Sequence, residues 1–565
     1  MRMKKYITLL MLLISTELSA QNFQKINTGI VVNDAGDSRS VNWADVNNDG
    51  LLDLFISNGL NTGERNFLYI NKGNFVFEKV DSNAVIVRDK APYDGASWAD
   101  IDNDGDLDMM VVTWYGQKNV VYLNEGNLQF KKITSGAIAT DLTYSESIAW
   151  ADYDKDGKLD AYVSNSFGNK KNLLYRGNGD STFVKITTGP AVVDANSSRS
   201  IHWVDVDADH DLDLFVCNEN NENENLYLNN NDGTFSRSLS SNIVKQGRST
   251  ITASWGDYDN DGDLDVFLGN DGSANQLFRN DGALNFVEQI FPSDSIEYTF
   301  GSAWADVDND ADLDLFITQA FSPNKSVNKL YLNTNGIFTL DTLNSFSLDS
   351  GWSYGCAFGD VDRDGFLDLA VANCYEKKQN NSLYKNTGNS NNWIVLTCKD
   401  LSGNNRSAIG SIARIKTNVN GQELWQMREI TSVSGHNGQN MMDLHFGIGN
   451  ASTIDSLIIE WPSGSIETYT NINSNQYLVV NKGLGLNTKN DDRNIPFNII
   501  PNPVIDKIYI ESIKSLENEY YEIFDMQGKK IMSGMFMLGS IDIQHLKTGM
   551  YLLKIRNTAS KFIKQ

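Results

Sequence analysis

The sequence predicts an all-β chain: a seven-bladed β-propeller, then a β-rich domain and a small C-terminal β-sandwich. Three observations predict it. The pattern D-x-[DN]-x-D-[GAH]-x-x-D occurs seven times, the same order of strand-forming segments follows each copy, and the one segment missing after the last copy is found at the N-terminus. The first aspartates are Asp45, Asp100, Asp152, Asp205, Asp257, Asp306 and Asp360, at intervals of 55, 52, 53, 52, 49 and 54 residues. Even repetition at this length is the signature of a propeller or solenoid.

Each copy carries the oxygens of a hard-cation site. Position 1 is the aspartate named above, and position 3 is Asn47, Asp102, Asp154, Asp207, Asp259, Asp308 or Asp362. Position 5 is Asp49, Asp104, Asp156, Asp209, Asp261, Asp310 or Asp364, and position 9 is Asp53, Asp108, Asp160, Asp213, Asp265, Asp314 or Asp368. With a backbone carbonyl from position 7, these groups form the all-oxygen shell that Ca²⁺ prefers, giving up to seven sites. An EF-hand needs a Glu at position 12 and flanking helices. Here position 12 is Ile56, Val111, Val163, Val216, Leu268, Ile317 or Val371, inside short β-branched runs such as Leu264-Asp265-Val266-Phe267-Leu268. Those runs read as strands, so the loop joins two strands and position 9 closes the shell.

The segments between loops follow one grammar. An aromatic stands two residues before each first aspartate: Trp43, Trp98, Trp150, Trp203, Trp255, Trp304 and Phe358. One copy per repeat at a fixed position fits inter-blade core better than carbohydrate stacking. After the loop come an apolar strand, a segment such as Asn225-Leu226-Tyr227-Leu228-Asn229, and a strand opening on Phe77, Phe130, Phe183, Phe235, Phe286 or Phe338. Four strands per repeat make one blade. After the seventh loop the Phe slot holds Trp393-Ile394-Val395, which leads elsewhere, while Phe23-Gln24-Lys25-Ile26 stands unpaired at the N-terminus. That segment is expected to complete the seventh blade, closing a propeller over residues 21–391 without an open sheet edge.

The loops are unequal. Position 6 requires a tight turn that favours Gly, yet it is His210 in the fourth loop and Ala311 in the sixth, so these two are expected to hold calcium least well. A lone imidazole among five aspartates reads as a turn substitution, not a transition-metal ligand. Lys155 and Lys158 add positive charge to the third loop, and Asn47 replaces an acid in the first. Loops two, five and seven are expected to bind best.

Composition bounds the rest. With 565 residues, several domains are expected. The net charge of −25 argues against nucleic-acid binding, and 31 of the acidic residues are aspartates within the seven loops. Residues 1–20 read as a secretory leader: Arg2, Lys4 and Lys5, an apolar run from Ile7 to Ile14, then Leu18-Ser19-Ala20. No later segment is long and apolar enough to span a bilayer, so no transmembrane segment is expected in the mature chain. Cys217, Cys356, Cys374 and Cys398 allow three full pairings or four buried thiols, and the sequence does not choose.

The seven loops resemble FG-GAP/VCBS repeats, found in integrin α-subunit propellers and many exported bacterial proteins. The resemblance implies Ca²⁺ at the loop positions named above. Ala408-Ile409-Gly410-Ser411-Ile412-Ala413-Arg414, Leu444-His445-Phe446-Gly447-Ile448-Gly449 and Ile459-Glu460-Trp461-Pro462-Ser463-Gly464 resemble the ASPIC/UnbV domain, over residues 392–483. Arg428, Glu429, His436, Asp443 and His445 of that region suggest an acid–base cluster but lack a nucleophile motif, so they read as structural polar residues. Residues 484–496 read as a linker. Ile500-Pro501-Asn502-Pro503 and the strands after it, residues 497–565, resemble the type A C-terminal sorting domain of type IX secretion. That resemblance implies export to the cell surface or medium, with the type IX machinery as partner.

The functional expectation is a non-enzymatic, calcium-binding surface or secreted propeller for adhesion, with an extracellular glycan or protein as ligand. The alternatives are a polysaccharide-active enzyme of lyase type and a rigid scaffold for the ASPIC/UnbV-like domain. A lyase needs a Lys, His, Tyr or Arg constellation on one propeller face.

Overall fold

Seven sets of four antiparallel strands carry the seven acidic loops in the computed structural model, which describes residues 23–488 and 497–565. Residues 60, 324–325, 375–377, 403–404, 501, 513–519, 527–528, 537–539 and 556–557 are not described, and the secretory leader also lies outside the described residues. In the first blade the strands are Ser38–Ala44, Asp53–Asn58, Phe67–Asn71 and Phe77–Lys79, in that order from the axis outward. The other innermost strands are Tyr93–Ala99, Ser145–Ala151, Ser198–Val204, Thr250–Gly256, Glu297–Ala305 and Ser353–Gly359. Each packs against the next, and the seventh packs against the first, so the circuit is closed. Second strands such as Asp53–Asn58 and Asp108–Thr113 are buried at every position because a neighbouring blade covers each face. That is why they read as unbroken apolar runs instead of alternating ones.

Two kinds of side chain fasten blade to blade, an indole in four blades and an Asn in six. The indoles of Trp43, Trp150, Trp203 and Trp304 donate to Ala357, Ser97, Ala149 and Ser254 carbonyls of the preceding blade, at 3.0–3.4 Å. In six blades the Asn at the end of the third strand donates from Nδ2 to the carbonyl after the preceding blade's first aspartate: Asn124 to Val46, Asn229 to Tyr153, Asn280 to Val206, Asn333 to Tyr258, Asn386 to Val307 and, across the closure, Asn71 to Val361. Blade three has Gly177 at this position, where an added Cβ would lie 2.2 Å from the Leu159 carbonyl oxygen.

The N-terminal segment completes the blade begun by Asp360. Phe23–Lys25 pairs antiparallel with Ser382–Asn386, with Phe23 opposite Asn386. The register matches that of Phe77 opposite Asn71, Phe130 opposite Asn124 and Phe286 opposite Asn280. Phe23 is 4% exposed and meets Phe346 edge-on at 5.6 Å between ring centroids. Its N–H donates to Asn344 Oδ1 at 2.8 Å, and Lys25 pairs with Asp349 at 2.5 Å. Lys79–Asp34, Lys132–Asp89 and Lys185–Asp141 repeat that ion pair in other blades.

The region after the propeller folds as two four-stranded sheets. One is Leu444–Gly449, Asn392–Lys399, Gln476–Asn481 and Gly485–Thr488; the other is Gln422–Glu429, Ile412–Val419, Thr453–Glu460 and Ile466–Asn473. Gly485–Thr488 is therefore strand where the sequence reads as linker, and residues 489–496 lie outside the described residues. Ile394, Phe446, Leu457 and Val480 share one continuous apolar core with Ile148, Trp150 and Tyr175 of the propeller.

Between Glu429 and Leu444 the chain enters the propeller axis. Ser432 Oγ donates to the Trp150 carbonyl and accepts its N–H, while Gln439 does the same for Trp98 with Oε1 and Nε2, at 2.7–3.0 Å. Asn440 Oδ1 accepts from Phe358 N–H, His436 N–H donates to Thr252 Oγ1, and Gly438–Gln439 pairs parallel with Val41–Asn42. The inner strands thus find partners in this segment for backbone groups that face the axis. All four cysteines are free thiols and buried. Residues 497–565 form two further small sheets with their own core, including Ile508, Ile523, Ile541, Leu553 and Phe562. No helix among the described residues is long and apolar enough to cross a membrane.

Removing residues 21–27 is expected to leave blade seven with an open edge and to lower the melting temperature, with aggregation through that edge. Replacing Phe23 alone by Ala is expected to cost about 3 kcal/mol. Thermal denaturation and size-exclusion chromatography check both; a truncated protein that melts and elutes like the intact one would refute this closure.

Candidate metal centres

Each acidic loop is folded by its own carboxylates. The position-1 Oδ2 accepts the N–H of position 6 in all seven loops, from Gly50, Gly105, Gly157, His210, Gly262, Ala311 and Gly365, at 2.7–3.2 Å. The position-5 Oδ1 accepts the N–H of position 7, for example Leu51 to Asp49 and Asp263 to Asp261. Position 9 does more. Its Oδ2 accepts the N–H of position 2, and its Oδ1 accepts a third-strand N–H: Asn71 to Asp53, Asn124 to Asp108, Gly177 to Asp160, Asn229 to Asp213, Asn280 to Asp265, Asn333 to Asp314 and Asn386 to Asp368, each at 2.8 Å. The closing aspartate therefore ties the turn to the sheet while keeping lone pairs for a cation.

Oxygens of positions 1, 3 and 9 lie within 4.8 Å of one another in loops two to five: Asp100, Asp102 and Asp108; Asp152, Asp154 and Asp160; Asp205, Asp207 and Asp213; Asp257, Asp259 and Asp265. In these four loops position 5 is not in the group, and its Oδ1 accepts the N–H of position 7, as Asp104 does from Asp106 and Asp261 from Asp263. The donor set fits a hard cation because buried oxygens are left over: Oδ1 of Asp102, Asp207, Asp259 and Asp362 at position 3, and Oδ1 of Asp152 at position 1, have no hydrogen-bond partner. Burial, with repulsion from neighbouring carboxylates, pushes Asp100, Asp152 and Asp257 up to about 7, Asp213 to about 8, and Asp108 and Asp265 to about 9. In loop six the same causes raise Asp306 to about 8 and Asp310 to about 9.

The loops differ in ways the sequence only partly shows. His210 and Ala311 adopt φ of +68° and +87°, the left-handed conformation that the glycines take, so the turn is kept at a backbone cost. Position 4 is left-handed as well, at Asn48, Asn103, Lys155, Ala208, Asn260, Asn309 and Arg363. Loop seven has an internal cation: Lys385 Nζ bonds Asp362 and lies 3.1 Å from Asp364. Arg176 lies 3.4 Å from Asp154 in loop three, where Lys158 also pairs with Asp156 at 3.2 Å.

The C-terminal domain sits on the loop face. Asp100 N–H donates to Ser407 Oγ, Asn405 N–H to Gly157, Arg414 to Gly262 and Gly449 N–H to Asn309. The Tyr477 hydroxyl donates to Asp360, and His445 Nε2 lies 3.0 Å from the Gly365 carbonyl oxygen. Of the five polar residues singled out in this domain, Arg428, Glu429, Asp443 and His445 line one cavity of about 140 Å³ against the propeller, together with Asp306, whereas His436 does not. Arg428 packs on the Phe446 ring at 5.2 Å, and the charges of Asp306 and Asp257 act on it. Glu429 is pushed up to about 8 by burial and by Asp205, and His445 down to about 4 by burial. His436 is elsewhere, at the inserted segment's far tip.

There His436 meets Asp94 and Glu146 within 4.8 Å. Arg199 pairs with Glu146 at 2.7 Å and with Glu219 at 2.7 Å, and the Arg39 guanidinium lies over the Tyr354 ring at 4.7 Å. Burial and the charge of Glu146 raise Asp94 to about 8, against the pull of Arg39 and Arg199. Sequence reading named only His436 of this cluster; the other members come from separate strands and carry no local motif.

A closed circuit of four-stranded blades, each turned by an acidic loop, defines the class: a repeat β-propeller. The FG-GAP-like repeat model matches residues 45–111, 100–163, 205–268, 257–317 and 318–371, just over half of the chain, and the chain belongs to that family. The ASPIC and UnbV model matches residues 401–486, and that of the secretion system C-terminal sorting domain matches residues 498–565. The sorting domain marks the protein for type IX secretion to the cell surface or outside. Cartilage acidic protein 1 of Xenopus tropicalis is 26% identical over 356 residues, 61% of this chain and 46% of that protein, so the match spans less than half the relative's length. Among solved structures, the extracellular domain of BT4673 from B. thetaiotaomicron aligns with 96% of this chain and 99% of its own at 9% identity and a TM-score of 0.42. YCF48 bound to D1 peptide aligns with 66% of this chain and 100% of its own at 10% identity and a TM-score of 0.41.

Two outcomes are expected. The carboxylates raised above the unfolded value of about 3.9 bind protons more tightly in the folded state, so their contribution is full below that value and is lost as pH rises through about 7 to 9. In excess chelator, lowering the pH from about 9 to about 6 should therefore raise the melting temperature, and in excess calcium that gain should vanish or reverse. Calorimetry at both conditions checks the sign. Lys385→Gln removes the competing cation of loop seven and should tighten calcium there by roughly tenfold, read as added stoichiometry in isothermal titration.

Proposed function

We propose that this exported propeller is a calcium-binding, non-enzymatic protein for surface adhesion, engaging a glycan or protein ligand outside the cell. The observation that carries the calcium reading is the set of buried, unpartnered carboxylate oxygens at Asp102, Asp152, Asp207, Asp259 and Asp362, repeated from loop to loop. A cation held by positions 1, 3 and 9 would supply the positive charge that these oxygens lack. The loops also touch the C-terminal domain, so calcium would set the shape of the face on which that domain rests. The opposite face is left uncovered by this domain and is the surface available to a ligand.

A second reading, a polysaccharide lyase, is favoured by one observation: Arg39, Arg199, Tyr354 and His436 meet Asp94 and Glu146 on a single face. Two features weigh against it. His436 is only 1% exposed, and Glu146 is held by Arg199, Trp114 and Ser166. A base must reach the proton it removes.

If calcium binds the folded loops alone, each site at ten times its dissociation constant adds roughly 1.4 kcal/mol. Chelation should therefore lower the melting temperature by many degrees, and an unchanged curve would refute the calcium reading. Glycan-array and protein-pulldown screens of the full chain test binding, and a polysaccharide turnover assay decides between binder and enzyme.

A further inference from the structure

We propose that the end of the propeller axis farthest from the metal loops is a binding site for a neutral oligosaccharide; this rests on the reading of the protein as a binder. The metal loops lead into the second strands, whereas Trp114, Phe167 and Phe321 lie just beyond the ends of second strands Asp108–Thr113, Asp160–Asn165 and Asp314–Gln319. They therefore sit on the opposite face.

Two aromatic groups flank the axis there. On blades two and three, Trp114 meets Tyr115 at 4.6 Å and Tyr144 at 5.2 Å, and Tyr144 meets Phe167 at 5.0 Å. On blades six and seven, Phe321 meets Trp352 at 4.5 Å and Phe300 at 4.8 Å, and Phe300 meets Tyr354 at 5.2 Å. Phe167, Tyr115 and Phe321 are 57%, 49% and 40% exposed. Tyr115 and Phe321 also hold left-handed backbone, with φ of +59° and +55°.

The charged cluster joins the two groups. Trp114 Nε1 donates to Glu146 Oε1 at 2.7 Å on one side, and His436 lies against Tyr354 at 5.4 Å on the other. Within this bridge Arg39 Nε and both ring nitrogens of His436 are buried without a hydrogen-bond partner. Of the charged groups between the two aromatic sets, Arg39, Arg199 and Glu219 are part-exposed and can meet a ligand, whereas Asp94, Glu146 and His436 are buried and hold the guanidiniums in place.

A pyranose has the matching chemistry. Its C–H face stacks on an aromatic ring, and its hydroxyls need donors and acceptors side by side, as a guanidinium next to a carboxylate provides. The charges select among saccharides. Arg39 and Arg199 stand beside Asp94, Glu146, Glu219 and Asp37, so the bridge is net acidic and would repel a polyanion. A metal ion at Asp94, Glu146 and His436 is disfavoured because two guanidiniums already serve those carboxylates.

The test is isothermal titration of the full chain with cello-, manno- and galacto-hexaose, and with a hexagalacturonate as the anionic counterpart. The expected result is binding of at least one neutral hexasaccharide and none of the hexagalacturonate. Tyr115→Ala combined with Phe321→Ala should weaken that binding at least tenfold while the far-ultraviolet circular dichroism of the sheets is retained. Arg39→Gln should weaken it as well. Neutral binding that survives these substitutions would overturn the site yet keep the protein a binder. Binding of hexagalacturonate alone would overturn the ligand class. No binding to any of the four would overturn the proposal, while the protein pulldown would still decide whether the chain binds a partner at all.

Discussion

One carboxylate per blade holds the propeller together. At position 9 each aspartate accepts the N–H that starts its loop and the N–H of a third-strand residue, so loop and sheet cannot move separately. The same group is buried and surrounded by like charges, which no protein donor fully offsets. Desolvating an anion is costly unless it is paired or hydrogen-bonded. The fold therefore places its main tie among carboxylates that could hold a cation.

Much of this was legible because it repeats. The seven aspartate patterns, the aromatic two residues before them and the Phe-led strands are local signals, and their spacing led to the closure by Phe23. Lys25 carried the same information, since it copies Lys79, Lys132 and Lys185, but a single lysine near a terminus draws no notice. The left-handed position 4 was also available: Asn48, Asn103, Asn260 and Asn309 are the residue type that tolerates it. The expectation of a strong seventh loop did not foresee Lys385, whose side chain reaches the loop from the third strand of the blade.

What was not legible is long-range. Nothing in Ser432-Val433-Ser434-Gly435-His436-Asn437 announces that it runs along the propeller axis; polar and glycine-containing, it reads as an ordinary loop. Its partners are backbone groups of strands hundreds of residues away, and backbone groups leave no mark on sequence. For the same reason the cluster of Arg39, Asp94, Glu146 and Arg199 drew no notice, each residue being unremarkable on its own strand, and His436 was grouped with residues it does not meet. With the insertion in view, propeller and C-terminal domain share one continuous apolar core.

The axial segment has a temporal consequence. The ring shuts only when residues 382–386 can capture residues 23–25, after almost all of the propeller has been made. The segment that fills the axis is made later still, so early in synthesis the inner strands face an empty bore with their polar groups unmet. Contacts of such sequence separation form slowly, and chains waiting for them are exposed to misassembly. Folding of this protein is therefore a race in which the last hundred residues of the globular part rescue the first hundred, and a nascent chain stopped before residue 430 is a ring without its axle.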